Sequence, residues 1–187
     1  STLKVGFTDT ASAGAKAGTA NITLASDGTY NGGVTTPLTS QTINMNAEVY
    51  RLASASAHTP EPVNFGNAHV GDIKTQALTI QNTAANDGYS EKLNASIDSA
   101  TAGITASGSF NLLAPQATDS TSLVVGLNTA TAGAKSGTAT ITLQSDGTGT
   151  SGFSAVGIGT QTVNVSGNVY RLAQATINNA ASFNFGN

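Results

Sequence analysis

The sequence predicts an all-β protein folded as an antiparallel β-sandwich. Three observations carry that expectation. The sizeable segments alternate apolar and polar residues with a period of two, as half-buried strands do. Gly-, Asn- and Asp-rich turns separate these segments. No segment keeps a 3.6-residue period, so helical crossovers are absent from the expectation and the strands are left to pair antiparallel.

Taken in order, residues 19–26 place Ala20, Ile22 and Leu24 on one face, and residues 42–50 alternate Ile43, Met45, Ala47 and Val49 against polar neighbours. Leu3, Val5 and Phe7 precede them as another alternating stretch. A short strand is expected over 63–70, a second over 74–82 around Leu78 and Ile80, and a third over 91–97 around Leu93, Ala95 and Ile97. Residues 104–113 supply one or two short strands. Strands over 121–128, 137–145 and 160–172 complete the set, with Leu123, Val125 and Leu127, then Ala139, Ile141 and Leu143, then Val163, Val165 and Val169 facing inward.

An internal repeat organises these elements. Glu48-Val-Tyr-Arg-Leu-Ala53 returns as Asn168-Val-Tyr-Arg-Leu-Ala173, and Phe65-Gly-Asn67 as Phe185-Gly-Asn187, each at an offset of 120. Ala15-Lys-Ala-Gly-Thr19 returns as Ala134-Lys-Ser-Gly-Thr138, and Ser26-Asp-Gly-Thr29 as Ser145-Asp-Gly-Thr148, at an offset of 119. A domain-sized period with a one-residue drift in its loops is the mark of tandem modules. The expected division is therefore residues 1–52 as the C-terminal half of one module, 53–62 as a short stiff linker with two of the four prolines, 63–172 as a complete module, and 173–187 as a linker with the first strand of another. On this reading the 187 residues are an excerpt beginning mid-repeat.

Composition narrows the function classes. Charged residues are 9% of the chain, against a usual level of about 25%. The surface is thus covered by neutral hydroxyls and amides, which suits an extracellular wall, fibre or matrix protein. Seven Lys and Arg cannot neutralise a phosphate track, so nucleic acid is not an expected partner. Zero cysteines exclude disulfides, thiolate nucleophiles and Cys-ligated metals. No apolar run approaches the roughly 20 residues of a membrane helix, so no membrane insertion is expected of this segment.

The run Phe65-Gly-Asn-Ala-His-Val-Gly71, then Leu78-Thr-Ile-Gln-Asn-Thr83, then a Gly-rich turn before a Thr/Ile strand, resembles the bacterial choice-of-anchor D repeat proteins. Through them it is similar to the ASPM/SPD-2/Hydin branch of immunoglobulin-like folds. The phrases beginning at Asn82 and at Ser145 also look like the long β-strand repeats of bacterial cell surfaces. The resemblance covers essentially the whole chain and implies an immunoglobulin-like sandwich of seven or eight strands, tandem arrangement and surface display. It implies no chemistry.

The candidate chemical residues are few. Asp27-Gly28, Asp146-Gly147 and Asp87-Gly88 sit in turns with nearby Asn and Thr oxygens, which makes Asp27, Asp146 and Asp87 the calcium candidates. Calcium takes six to eight oxygens, however, while the Asp27 and Asp146 loops carry one acidic residue each and the Asp87 loop adds only Glu91. Asp-Gly is itself a turn signal, and the turn reading is preferred, with no cofactor expected. His58 and His69 have no second histidine at ligand spacing, and no serine lies in a nucleophile-elbow motif, so no enzyme is expected.

Tyr50-Arg51 and Tyr170-Arg171 end the last strand of each unit, where the alternation breaks phase because Val49, Tyr50 and Leu52 are all large. They are read as inter-module junctions. The apolar face of residues 1–51, with Val5, Phe7, Ile22, Leu24, Ile43, Met45 and Val49, needs a cover. The tail around Phe183 and Phe185 resembles a first strand and can be donated to it by a neighbouring chain. The expected role is a structural repeat of a bacterial surface or extracellular filament, stalk, sheath or adhesin whose partner is itself, as a homo-polymer or as neighbouring modules. The runner-up is an adhesive module that binds glycan or protein through its loops. It is second because the chain has no Trp, four Tyr and six Phe to build a glycan platform.

Overall fold

A computed structural model describes residues 2–176 and 186. Strands dominate, as the alternation requires: β1 Gly14–Ser26, β2 Thr36–Val49, β3 Val63–His69, β4 Thr75–Gln81, β5 Lys92–Ala100, β6 Ile104–Ser107, β7 Ser109–Leu113, β8 Thr118–Leu127, β9 Gly133–Asp146 and β10 Val156–Tyr170. Among the described residues the helical element is a single 3-10 turn, Thr29–Asn31, and no helix is long and apolar enough to cross a membrane.

The strands from β3 onward form two sheets. One runs β3-β10-β9-β5-β7 and the other β4-β8-β6. Every pairing is antiparallel except β3 with β10, which is parallel, with Val63 opposite Val165 and His69 opposite Tyr170. The inward residues of both sheets meet in one core. Leu78 and Ile80 of β4 and Leu123 and Val125 of β8 lie in the same buried cluster as Leu93, Ala139, Ile141, Val163 and Val165 of the larger sheet. Leu78, Leu93, Leu123, Val125, Ile141 and Val163 are fully buried, so each contributes about 1.5–3 kcal/mol of apolar transfer. This is a β-sandwich in which the period-two alternation separates core from solvent.

One chain segment serves both sheets. β6 pairs with β8, and after Gly108 the chain continues as β7, paired with β5 in the other sheet. Gly108 has φ +115°, and a Cβ there would lie 1.8 Å from the Ser122 carbonyl oxygen. Only glycine lets the strand cross between sheets at that spot.

The β1–β2 hairpin is a separate two-stranded sheet. Its register is that of β9–β10. Gly14, Lys16, Ala20 and Ile22 lie opposite Val49, Ala47, Ile43 and Gln41. Gly133, Lys135, Ala139 and Ile141 lie opposite Val169, Gly167, Val163 and Gln161. The two hairpins diverge beyond these pairs, where the bulge falls between Ile22 and Leu24 in one and between Gly157 and Gly159 in the other.

Two expectations are corrected. Leu3, Val5 and Phe7 form no strand, and Leu3 and Val5 are exposed. The matching residues Leu123, Val125 and Leu127 belong to β8, which is held between β4 and β6. Residues 3–7 have neither neighbour among the described residues, and a strand without a ladder leaves its backbone groups to water. Residues 53–62, expected as a short stiff linker between modules, lie along the sandwich. Ala55 bridges Asn82, Thr59 bridges Thr79, and Ala53 and His58 are buried.

Candidate assembly junction

A cluster of charged and aromatic side chains lies where the chain leaves β2 and joins the sandwich. β2 ends at Val49, and the next residues cross to the turn at 85–91. Arg51 pairs there as a parallel bridge with Ser90: its N–H donates to the Tyr89 carbonyl at 2.9 Å, and its carbonyl accepts from Glu91 N–H at 3.0 Å. The guanidinium Nη1 donates to both carboxylate oxygens of Asp87 at 2.7 Å and to Ser90 Oγ at 2.9 Å. Tyr50 packs its ring on Tyr89, centroids 5.7 Å apart at 50°, and its hydroxyl donates to Glu48 at 2.6 Å. Arg51 holds the Asp87 carboxyl below its ordinary range, with Tyr89 N–H adding to the effect.

Below this clamp lies a buried polar set. Ala53 N–H donates to Ser145 Oγ at 2.7 Å, and Ser145 Oγ donates to Glu91 Oε2 at 2.7 Å. Ser151 Oγ donates to the other Glu91 oxygen. Asn82, with no exposed surface, accepts from Ser54 and Ala84 N–H and donates to the Glu91 and Leu113 carbonyls. These bonds explain why polar residues persist in the interior: a buried polar group without a partner costs about 1–3 kcal/mol. No buried side-chain N or O among the described residues lacks a partner.

A second fastening ties the same segment to β10. His58 N–H and Nδ1 both face Gln161 Oε1, at 2.9 and 2.8 Å, while Gln161 Nε2 donates to the Ser56 carbonyl at 2.8 Å. His58 Nε2 lies 2.9 Å from Glu61 Oε2. Asn164 donates to Glu61 from its backbone N–H and, at 2.6 Å, from Nδ2. Burial alone would raise the Glu61 carboxyl, but the bonds from His58 and Asn164 outweigh it and leave the group lowered.

The Asp candidates fall in three settings. Asp27 Oδ1 accepts from Thr29 Oγ1 at 2.6 Å and Thr29 N–H at 3.0 Å, which lowers its carboxyl. Asp146 is lowered by Thr148 and then by Asn94, whose Nδ2 donates at 2.9 Å. These are turn-forming bonds of Asx type. Asp87 closes the Arg51 clamp. Among the described residues no three of His, Cys, Asp and Glu gather as a metal-ligand group.

The repeated junction residues stand differently. Tyr170, Arg171 and Leu172 are exposed, and Arg171 lines a depression with Val70, Ala130, Ala132 and Leu172. Phe183 and Phe185 lie outside the described residues. Of the site, sequence reasoning picked out Tyr50, Arg51 and Asp87 but placed Asp87 in a separate loop, and it missed Tyr89, Ser145, His58 with Glu61, and Gln161. The available signal was polarity at positions the alternation assigns inward, as at Ser145. The chain matches no protein-family model and no curated protein sequence.

Proposed function

We propose that the chain is a structural, non-catalytic repeat of a bacterial cell-surface or extracellular filament, stalk, sheath or adhesin. Its unit is an immunoglobulin-like sandwich of about 120 residues that associates with its own kind. The observation that carries this reading is the shared register of β1–β2 and β9–β10, one hairpin forming a separate two-stranded sheet and the other embedded in a sandwich. The strand order supports the fold assignment, since β3 adds parallel to the last strand and one strand divides between the two sheets.

Two glycines support a missing cover. A Cβ at Gly137 would meet Thr101 Oγ1 at 2.2 Å, and one at Gly126 would meet Thr105 Oγ1 at 2.6 Å. Among the described residues their counterparts Gly18 and Gly6 have no such neighbour: the first atom near a Cβ at Gly18 is 3.7 Å away, and nothing lies within 4 Å at Gly6. The hairpin segment keeps glycine where only a close-packed cover would demand it. Inter-module packing or strand exchange, with the tail around Phe183 and Phe185 added to the edge of β2 that pairs with no strand among the described residues, would supply that cover.

The test is the particle formed by the full chain at high concentration. Extended particles by electron microscopy, lost on deleting residues 174–187 while the central sandwich keeps its melting temperature, are expected. A monomer at every concentration, or an oligomer unaffected by the deletion, overturns the assembly reading. Specific binding on a glycan array would favour adhesion instead.

A further inference from the structure

We propose that residues 171–175, which follow β10, are a docking strand for a second sandwich of this kind, with Arg171 seated on that sandwich's counterpart of Asp87 and the exposed ring of Tyr170 on its counterpart of Tyr89. This inference rests on the repeat reading above and names its interface. The warrant is inside the chain. Val49-Tyr-Arg-Leu-Ala53 and Val169-Tyr-Arg-Leu-Ala173 are the same five residues. The first copy is docked: Arg51 holds Asp87, Tyr50 rests on Tyr89, and Ala53 is 6% exposed with its N–H on Ser145. The second copy has the same groups and no such surface. Tyr170 is 52% exposed and Ala173 is exposed, and among the described residues Arg171 forms no salt bridge.

Charge and shape select the partner. The neighbours of Arg171 in its depression are neutral, so its charge is unmatched there. What fits is an Asp-Gly-Tyr-Ser-Glu turn like that of residues 87–91, with an anion for the guanidinium, a ring for the tyrosine and two free backbone groups for Arg171. A second copy of the chain does not offer that turn, because its own Arg51 occupies it. The partner is therefore a sandwich whose turn is open, joined downstream in the way that the central sandwich is joined to β2.

The experiment duplicates residues 53–172 in tandem within the otherwise intact chain, so that Tyr170-Arg171-Leu172 precedes a second Ala53. In the duplicated chain Arg171→Ala is expected to lower the melting temperature of the second sandwich by about 2–4 °C, matching Arg51→Ala at the first. In the 187-residue chain Arg171→Ala is expected to leave melting unchanged. Amide exchange of unsubstituted Arg171 should slow at least about 10-fold on duplication, since docking gives its N–H a carbonyl partner. An Arg171→Ala that is silent in the duplicated chain, or an Arg171 amide that exchanges equally fast in both chains, overturns the proposal. Both readouts lie within one chain, so they are scored whether or not the unmodified protein polymerises.

Discussion

The β1–β2 and β9–β10 hairpins pair their strands alike and bury them differently. Ile141, Val163, Val165 and Val169 are almost wholly buried, whereas Ile22, Met45 and Val49 are only half-buried and Ile43 is 37% exposed. Strand pairing is thus a local property that the hairpin carries in its own alternation and turn. Burial comes from β4, β6 and β8, which cover β9–β10 and have no counterpart over β1–β2 among the described residues. The fate of residues 3–7 teaches the same lesson: alternation is not enough where a strand has no neighbour to pair with.

The largest expected difference is in the core. Ile141→Ala should cost about 2–5 kcal/mol, the usual range for truncating a fully buried Ile. Ile22→Ala, at the matching position, should cost about 1 kcal/mol or less in the monomer because water already reaches that face. Denaturant unfolding of both variants checks this. Equal costs would mean that the hairpin face is covered, and a cost at Ile22 that grows with protein concentration would identify another chain as the cover.

Next come the matching serines. Ser145→Ala removes the partner of both Ala53 N–H and a Glu91 oxygen and should cost about 1–3 kcal/mol. Ser26→Ala, at an exposed position, should fall within about 0.5 kcal/mol of zero. The glycines should then differ in sign. Gly137→Ala forces a Cβ against Thr101 Oγ1, already bonded to Thr138 N–H, and should destabilise by about 1–3 kcal/mol. Gly18→Ala has room and should stabilise by a few tenths up to about 1 kcal/mol, as Ala does over Gly in a strand. Thermal melting of the pair decides it, and a destabilising Gly18→Ala would show that the hairpin is packed as tightly as its twin.

Legibility followed the range of the interaction. The strands from 63 onward were readable because inward Leu, Ile and Val recur at every second position, and the hairpins because the repeat aligns them. The crossing at Gly108 was not, since residues 104–113 read equally as one strand or two. The junction was readable on one side only. Tyr50 and Arg51 break the alternation, but nothing in the sequence joins Arg51 to Asp87 across 36 positions, or His58 to Gln161 across 103. The segment 53–62 looked like a linker because its edge pairing uses a residue here and there, at Ala55 and Thr59, without a sustained apolar face.

The smallest expected effect separates the hairpins by pH. Glu61 fastens residues 58–61 to Asn164 on β10, and the matching β2 residue, Asn44, has no carboxylate bonded to it among the described residues. The folded Glu61 carboxyl titrates below its ordinary 4.5 because the His58 and Asn164 bonds outweigh burial. Folding therefore favours the ionised form. The contribution is fully present above pH 4.5 and is lost as pH falls through the lowered folded value. Solvent reaches about a third of the Glu61 side chain (30%), so screening keeps the effect below about 1 kcal/mol. Asp9, Asp27, Asp87 and Asp146 are lowered in the same direction, so the acid limb of the whole protein cannot isolate Glu61. The difference between wild type and Glu61→Gln can: it should shrink as pH falls below 4.5. A difference that stays constant well below pH 4.5 would mean that the Asn164 and His58 bonds do not favour the carboxylate. Because the carboxylate bonds Asn164 on β10 and no residue of β2 among those described, the protection of the Asn164 amide, its exchange measured relative to the intrinsic rate, should fall on acidification while that of Asn44 does not change.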